Sequence, residues 1–372
     1  MLSAAFAVMA LLPAVVTPAP SREAGLAARH DPRVIAVASS RRVWNGVVTT
    51  TSGAMFTCYP LIEGFGPQLE KLTPPDTAIP WPDQAWNSWH PGQDFSHAFV
   101  HINAIRTGPD GTLWAVDAGA PGLGQAALPG AARLIGFDVA TGRLERIYDL
   151  SGGTVPTSYM NDVRFNAGHA YITDSGSPAL LVLDLSAGTV RRVLDHDPST
   201  TDSRPMNVDG RVLHDPHGNE LRVHADQIEV SPDGRYVYFQ PASGPLARVE
   251  SRWLDDPSVP AAVLAGRVEA SWADTPTSGG TAIDAKGNIY MGDSQNRRIL
   301  KIAPDKTMTV LATDSRFILT DAMWIDPQGY LWIPATQLNR TAGLNGGKST
   351  VKYPVWIYKL FIDARPPAND HP

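Results

Sequence analysis

The stretch that decides the fold is NAIRTGPDGTLWAVD, residues 103–117. A small polar residue, Asn103, opens an apolar strand, and a Pro-Asp-Gly turn ends eight residues later at Gly111. A second apolar strand follows, with Trp114 near its start. Because Pro restricts φ and Gly accepts positive φ, this turn is typical of a strand–turn–strand unit. The stretch therefore predicts a β-hairpin.

The same plan recurs six times along the chain. Each unit reaches its Gly turn eight residues after its opening, except the third, which is one residue shorter. The openings are Asn45, Asn103, Asn161, Asp226, Gly279 and Asp321. Third and fourth strands follow the hairpin, as in residues 133–138 and 143–148. Six such units predict an all-β fold, a six-bladed β-propeller of four-stranded antiparallel blades, because radial closure buries both faces of every sheet.

The amino-acid composition predicts a large hydrophobic core and argues against several kinds of partner and cofactor. With 43% hydrophobic and 18% charged residues, the chain has enough apolar side chains for a large core. A formal net charge of −6 without a basic stripe argues against a nucleic-acid partner. The single cysteine, Cys58, excludes an intramolecular disulfide. Residues 346–350, GGKST, lack the leading Gly and the following helix of a phosphate-binding loop, so we expect no nucleotide cofactor.

The N-terminus differs from the rest of the chain. Residues 2–16 are almost wholly apolar, a length that fits a signal peptide better than a membrane span. We therefore expect residues 1–30 to be a signal peptide and flexible segment, and the protein to be secreted or periplasmic. Residues 31–365 are expected to form one propeller domain and residues 366–372 a C-terminal tail. No other segment has membrane-spanning length, and we expect a monomer.

The opening residues are the first candidates for a functional site. In a propeller the first strand of each blade lines the central channel, so equivalent positions form a ring at one mouth. Amide and carboxylate oxygens are the ligands that Ca²⁺ prefers. The ring predicts a metal or ligand site, possible metal ligands being Asn103, Asn161, Asp226 and Asp321. The alternative interpretation is that Asn and Asp cap strand starts and satisfy the backbone of loops.

Residues at a fixed offset from the opening residue, before or after it, supply further candidates. His101 and His224 lie two residues before an opening and are predicted acid/base groups. Arg106 and Arg164 lie three residues after one, where they would steady a developing enolate or carboxylate. The predicted ligand-binding residues are Asn45, Tyr159 and Glu229. Asn45 is itself an opening, Tyr159 lies two residues before one, and Glu229 lies three residues after one.

Several stretches together resemble the major royal jelly protein/Yellow family. They are VHINAIR (100–106), GTLWAVDAG (111–119), LIGFDVATG (134–142), YMNDVR (159–164), AYITDSG (170–176), IEVSPDG (228–234), Thr320-Asp321 and ATQLN (335–339). The resemblance implies a six-bladed propeller and secretion, and it adds Gln337 to the ligand-binding candidates. The openings Asn161-Asp162 and Asp321-Ala322 are also similar to the calcium-dependent gluconolactonase/regucalcin propellers. Asn45 stands where those proteins would have a Glu.

Three functions stay open at this point. The first is a secreted Yellow-like protein that binds a small aromatic amine or quinone-type molecule; whether it also isomerises that molecule, as dopachrome tautomerases do, stays open. The second is a Ca²⁺-dependent lactonase of the gluconolactonase type, in which the cation polarises a carbonyl and activates water. The third is a ligand-binding propeller without catalysis.

Overall fold

The computed structural model describes residues 29–372. These residues form six four-stranded antiparallel sheets and one two-stranded hairpin. The six-bladed propeller of four-stranded blades is therefore confirmed. The predicted signal-peptide core, residues 2–16, lies outside the described residues. Within residues 29–372, no helix is long and apolar enough to cross a membrane.

Each blade runs from an inner strand at the channel to an outer strand at the rim. Blade 1 contains β2 to β5, at Gly46–Thr49, Met55–Cys58, Leu69–Thr73 and Thr77–Pro80. Blade 2 contains β6 to β9, at Ile102–Thr107, Leu113–Asp117, Arg133–Phe137 and Leu144–Asp149. Blade 3 contains β10 to β13, at Met160–Asn166, His169–Asp174, Ala179–Asp184 and Val190–Val193.

Blades 4 to 6 follow the same order. Blade 4 contains β16 to β19, at Ala225–Val230, Tyr236–Pro241, Leu246–Glu250 and Glu269–Ala273. Blade 5 contains β20 to β23, at Thr281–Ile283, Ile289–Asp293, Arg298–Ile302 and Met308–Thr313. Blade 6 contains β24, β25, β26 and β1, at Trp324–Ile325, Tyr330–Ala335, Val355–Phe361 and Ile35–Ser40.

Blade 6 closes the ring with strands from both ends of the propeller. Its outer strand is β1, which pairs antiparallel with β26 from Ile35↔Lys359 to Ser40↔Val355. Its inner strand is β24, which has only two residues and pairs with β25. The β1–β26 pairing covers the outer edge of β26 and joins the first strand of residues 29–372 to the last blade.

A few short elements lie outside the blades. Before blade 4, a hairpin is formed by β14 (Asn207–Val208) and β15 (Arg211–Val212). Between β18 and β19 lie two five-residue α-helices, α1 (Ser251–Asp255) and α2 (Ala261–Ala265). Single 3₁₀ turns occur at Leu61–Glu63, Ser151–Gly153, Leu338–Arg340 and Ala342–Leu344.

The turns predicted from the sequence have the expected backbone conformation. All six turn glycines have positive φ, namely Gly53, Gly111, Gly168, Gly234, Gly287 and Gly329. At Gly111, with φ at 83°, no atom would lie within 4 Å of an added Cβ, so the restriction there is conformational. These turns reverse the chain between the two inner strands of each blade.

Aromatic side chains pack neighbouring blades against each other. Trp81 of blade 1 meets Phe137 of blade 2 edge-on, with ring centroids 5.4 Å apart. Trp114 of blade 2 lies 5.6 Å from Phe165 of blade 3. These are contact distances for aromatic pairs, which bury large areas. The packing fixes blades 1, 2 and 3 relative to one another and thereby helps to hold their inner strands around the channel.

Candidate functional site

A cavity of about 930 Å³ opens where the inner strands begin. All six opening residues line it, namely Asn45, Asn103, Asn161, Asp226, Gly279 and Asp321. The structure thus brings together residues that are spread over 277 positions of the sequence, from residue 45 to residue 321 inclusive. His101 and Tyr159 line the same cavity.

Irregular pairing at the start of three inner strands accompanies these positions. The register between the first two strands shifts around Asn103 in blade 2 and around Asp226 in blade 4. In blade 3 the shift covers Met160 to Val163 and so includes Asn161. A bulge leaves a residue outside the ladder and changes the direction of its side chain. Here it frees the opening residues to face the channel.

Blades 1 to 3 present a chain of amides. Asn45 donates through Nδ2 to the carbonyl of Asn103 at 2.7 Å. Asn103 donates through Nδ2 to the carbonyl and Oδ1 of Asn161, both at 3.0 Å. Asn161 in turn donates to Ser175 Oγ at 3.0 Å. The three amides therefore hold one another in fixed orientations along half of the ring.

Blades 4 and 6 present carboxylates. Asp226 is buried and accepts a hydrogen bond from Gln227 Nε2 at 2.7 Å, while Asp321 accepts one from the amide of Ala322 at 2.7 Å. Among residues 29–372, neither carboxylate forms an ion pair with Lys, Arg or His. Burial, together with the charges of Asp321 and Asp162, raises the pKa of Asp226 well above its usual range. Burial and Asp162 also raise the pKa of Asp321.

His101 and Tyr159 form a buried pair beside the amides. His101 Nδ1 lies 2.9 Å from the carbonyl of Ala120, so this nitrogen donates. Nε2 then accepts from the amide of Leu61 at 3.1 Å and lies 3.0 Å from the hydroxyl of Tyr159. Burial lowers the pKa of His101. The imidazole is therefore neutral and both its nitrogens have partners, while the Tyr159 hydroxyl also reaches Asn103 Oδ1 at 3.2 Å.

Arg164 and Glu229, two predicted site residues, do not line the cavity. Arg164 donates to Glu229 through Nε and Nη2, both at 3.0 Å, and to Asp162 through Nη1 at 2.8 Å. Glu229 also accepts from Thr281 at 2.7 Å. Both members of the Arg164–Glu229 pair are buried. They form a buried ionic layer between the inner strands of blades 3 and 4, three residues deeper than the ring.

The other three predicted residues have partners elsewhere. Arg106 is buried and pairs with Asp370, a residue of the C-terminal tail. His224 lies outside the cavity lining, where its Nδ1 accepts from the amide of Asp202 at 3.1 Å, and burial lowers its pKa. Gln337 is also outside the lining, and its side chain bonds the backbone N–H and C=O of Lys352 at 3.0 and 2.8 Å.

Sequence reasoning missed the cavity walls. Residues 195–224, the long insert before blade 4, contribute a wall with apolar residues (Met206, Leu213, Leu221 and Val223) and charged ones (Asp215, Glu220 and Arg222). Leu338 and Leu344 add to it from the loop before β26. Apolar residues inside an insert rich in Gly, Asp and Pro were the available signal. Asp162, next to Asn161, was also missed, although its carboxylate acts on both Asp226 and Asp321.

The predicted metal set contains only two acidic residues. Within the described part of the chain, no group of three or more His, Cys, Asp or Glu residues is arranged to hold a metal ion. Cys58 is buried, and its thiol contacts the carbonyl of Asn103 at 3.3 Å. Burial and the charges of Asp321 and Asp162 raise the pKa of Cys58, so this thiol is a packing group.

Solved structures with the same architecture are distant in sequence. The calcium-binding protein regucalcin from Agrobacterium tumefaciens shares 14% identity at a TM-score of 0.52, covering 87% of this chain and 91% of that one. A gluconolactonase from Xanthomonas campestris shares 12% identity at a TM-score of 0.52, covering 86% of each chain. A luciferin-regenerating enzyme shares 11% at 0.51, covering 88% and 94%. At these identities the likeness concerns the fold alone.

Comparison at the level of sequence gives a more specific result. No curated protein matches the chain. The family model of the major royal jelly proteins matches residues 105–362, which include the inner strands of blades 3 to 6 and almost all of blade 2. That match covers more than half of the chain and agrees with the resemblance of its repeated motifs. The chain therefore belongs to the major royal jelly protein family.

Proposed function

We propose that this protein binds a small aromatic amine in the cavity at the channel mouth. The observation that carries the proposal is the pair Asp226 and Asp321, two carboxylates facing the cavity without a basic partner among the described residues. A buried carboxylate needs a compensating charge to stay ionised. An ammonium group would supply that charge, and binding would lower both raised pKa values.

The walls fit the rest of such a ligand. Leu213, Leu221, Leu319 and Leu338 line the cavity together with the two carboxylates. A volume of about 930 Å³ is within the range of sites for small organic molecules. An aromatic ring would therefore lie against leucines while its amine meets the acidic side of the ring. The fixed amides of blades 1 to 3 would accept or donate hydrogen bonds to ring substituents.

Isomerisation of a quinone-type ligand would have a defined proton carrier. His101 has both nitrogens engaged, so the group that offers a proton to the cavity is the hydroxyl of Tyr159. His101 Nε2 at 3.0 Å and Asn103 Oδ1 at 3.2 Å hold that hydroxyl in place, so His101 is a positioning residue for it. We infer that Tyr159, with His101 behind it, would move the proton in a tautomerase reaction, while His224 would take no part.

Calorimetric titration of the purified chain with tyramine, dopamine and tryptamine tests the proposal. Saturable binding is expected, and 4-ethylphenol, which lacks the amine, should bind at least ten-fold more weakly because charge-assisted bonds are the strong ones. Asp226→Asn and Asp321→Asn should each weaken amine binding by roughly ten-fold or more. Asp363→Asn, at an exposed carboxylate far from the cavity, is the matched control.

Two outcomes would contradict the proposal. One is the absence of saturable binding by any of the three amines. The other is amine affinity that is the same in the wild type and in both cavity variants. Loss of dopachrome conversion in Tyr159→Phe, with amine affinity kept, would separate proton transfer from binding.

A hard divalent cation is the second candidate, favoured by the oxygen-rich ring itself. Asp226 and Asp321 supply carboxylate oxygens, and Asn103 and Asn161 supply amide oxygens, a donor set that Ca²⁺ accepts. These four residues would hold the cation, with water completing its six to eight ligands. Bound there, the cation would polarise a substrate carbonyl, as a lactonase requires.

Metal analysis distinguishes the two candidates. Calcium that copurifies at one ion per chain and is lost in Asp226→Ala would support the cation site. Amine binding that is unchanged by excess Ca²⁺ would support the amine site, since both ligands would need the same carboxylates. Export of the protein is part of either proposal and rests on the apolar residues 2–16.

A further inference from the structure

The C-terminal tail, residues 366–372, lies on the axis of the propeller. Contacts to this tail and to Arg365 just before it come from four different blades. They are made by Arg106 of blade 2, Ser231 after the inner strand of blade 4, Ala285 after that of blade 5, and Trp324 and Ile325 of blade 6. A segment at the rim could not reach four inner strands, so the tail must enter the channel.

The tail occupies the channel end opposite the cavity. Inner strands run away from the cavity, and Arg106 and Trp324 each lie three residues beyond an opening. Ile325 lies four residues beyond one, and Ser231 five. None of these four residues lines the cavity. The tail therefore closes the far end, with its anchors Arg106 and Trp324 at the depth of the buried Arg164–Glu229 pair.

Asp370 is the first anchor of the tail. Arg106 donates to Asp370 Oδ1 through Nε at 3.1 Å and to Oδ2 through Nη2, a bidentate bond. Side-chain exposure is only 5% for Arg106 and 6% for Asp370, so the pair is shielded from water. Burial opposes ionisation of Asp370, but Arg106, His371 and Arg164 outweigh it and hold the pKa of the carboxyl far below its usual range.

His371 is the second anchor. Its ring stacks on Trp324 with centroids 3.5 Å apart and an interplanar angle of 19°. Nδ1 lies 2.9 Å from Asp370 Oδ2, and Nε2 lies 2.7 Å from the carbonyl of Ile325. Both partners are acceptors, so this arrangement is fully bonded when both ring nitrogens carry protons. Arg106 lies on the ring of Trp324 as well, at 4.9 Å.

We propose that residues 366–372 are a plug bound in cis, and that Arg106, Trp324 and the Ile325 carbonyl form a peptide site for it. The site recognises a carboxylate followed by an imidazole, because the guanidinium takes the first and the indole face with the carbonyl takes the second. The site is separate from the cavity and does not depend on the proposed amine. A peptide of the same chemistry binds in trans once the tail is removed.

The test replaces residues 366–372 with a Gly/Ser segment of equal length and adds the labelled peptide RPPANDHP, residues 365–372. Fluorescence anisotropy should show one saturable site in the replaced chain and at least ten-fold weaker binding to the intact chain, whose site is filled. The Asp370→Asn form of the peptide should bind roughly ten- to hundred-fold more weakly, because a charge-assisted bidentate bond is lost. A replaced chain that keeps its circular dichroism but binds no peptide would overturn the proposal, as would equal binding of both peptides.

Hydrogen exchange on the full chain covers the case in which the replaced chain does not fold. The amide of Asp370, a buried residue, donates to the carbonyl of Pro367 and should be protected at least ten-fold relative to the free peptide. Asp370→Asn should remove that protection, while Asp363→Asn, an exposed carboxylate of the same terminal segment, should leave it in place. Exchange in the wild type at the rate of the free peptide would show that the tail is not bound.

Discussion

The two ends of the central channel handle buried charge in opposite ways. At the far end every charge has a partner, because Arg106 meets Asp370 and Asp370 meets His371. At the cavity end Asp226 and Asp321 each accept a single hydrogen bond and meet no cation among the described residues. Both ends are built from the same repeated inner strand, the cavity end from its opening position and the far end from positions three to five residues later. The fold itself therefore does not determine which end binds a ligand.

The difference shows where the chain is specialised for stability and where for binding. A paired buried charge is costly to disturb because removing one partner leaves the other uncompensated. An unpaired buried carboxylate is already destabilising, and it is tolerated where a ligand supplies the missing charge. The Arg164–Glu229 layer lies between the openings and the tail and acts on both ends, since Asp162 helps to raise the pKa of the cavity carboxylates and Arg164 helps to lower that of Asp370.

Breaking that layer should have the largest effect on stability. Glu229→Gln removes the carboxylate that Arg164 contacts twice and leaves a buried guanidinium whose remaining hydrogen-bonded carboxylate among residues 29–372 is Asp162. We expect the free energy of unfolding to fall by about 3–5 kcal/mol, the cost of breaking a buried pair. Urea denaturation followed by circular dichroism measures this change.

The control for this prediction is a pair at the surface. Glu145→Gln removes the partner of Arg143, whose side chain is 70% exposed. A change of less than about 1 kcal/mol is expected there, since exposed ion pairs contribute little. Equal losses in the two variants would show that the Arg164–Glu229 layer is no more important than a surface pair.

The repeat explains how much of this could be predicted from the sequence. Openings and turn glycines lie at a fixed spacing, so the number of blades and the ring of Asn45, Asn103, Asn161, Asp226, Gly279 and Asp321 follow from local signals. The depth of Arg106 and Arg164 in the channel follows in the same way, because each lies three residues beyond its opening. The offset of a residue from its opening was sufficient to predict all these positions.

Partners could not be predicted, because they come from segments outside the repeat. Arg106 and Asp370 are 264 positions apart, and the tail has no counterpart in the other units. The same is true of the insert at residues 195–224, which supplies the cavity wall. The position of Arg106, three residues after its opening, predicted its depth in the channel correctly. The sequence suggested a substrate as its partner, whereas the structure shows Asp370 of the chain's own tail.

A smaller effect should appear in the dependence of stability on pH, with opposite signs at the two ends. The raised pKa values of Asp226 and Asp321 mean that the folded chain keeps protons that the unfolded chain releases. Their favourable contribution is complete below the ordinary carboxyl pKa and is lost as pH rises through the raised values. Between about pH 4 and pH 7 the wild type should therefore lose stability relative to an Asp226→Asn/Asp321→Asn double variant.

Asp370 should show the reverse. Its lowered pKa makes its contribution complete above the ordinary carboxyl pKa, and that contribution is lost as pH falls through the lowered value. The stability gap between the wild type and Asp370→Asn should thus be widest near neutral pH and should narrow in acid. Melting temperatures across a pH series measure both gaps. Gaps that change in the same direction would refute the contrast between the ends.

The smallest effect is expected at His224. Like His101 it lies two residues before an opening, but it does not line the cavity as His101 does. His101 lines the cavity beside Tyr159, whereas His224 lies outside the lining and bonds the amide of Asp202. His224→Ala should change amine affinity by less than about two-fold and stability by about 1 kcal/mol, the value of one hydrogen bond. Calorimetry of His224→Ala beside Tyr159→Phe measures this. A loss of more than ten-fold in His224→Ala alone would mean that the insert moves His224 into the cavity when ligand binds.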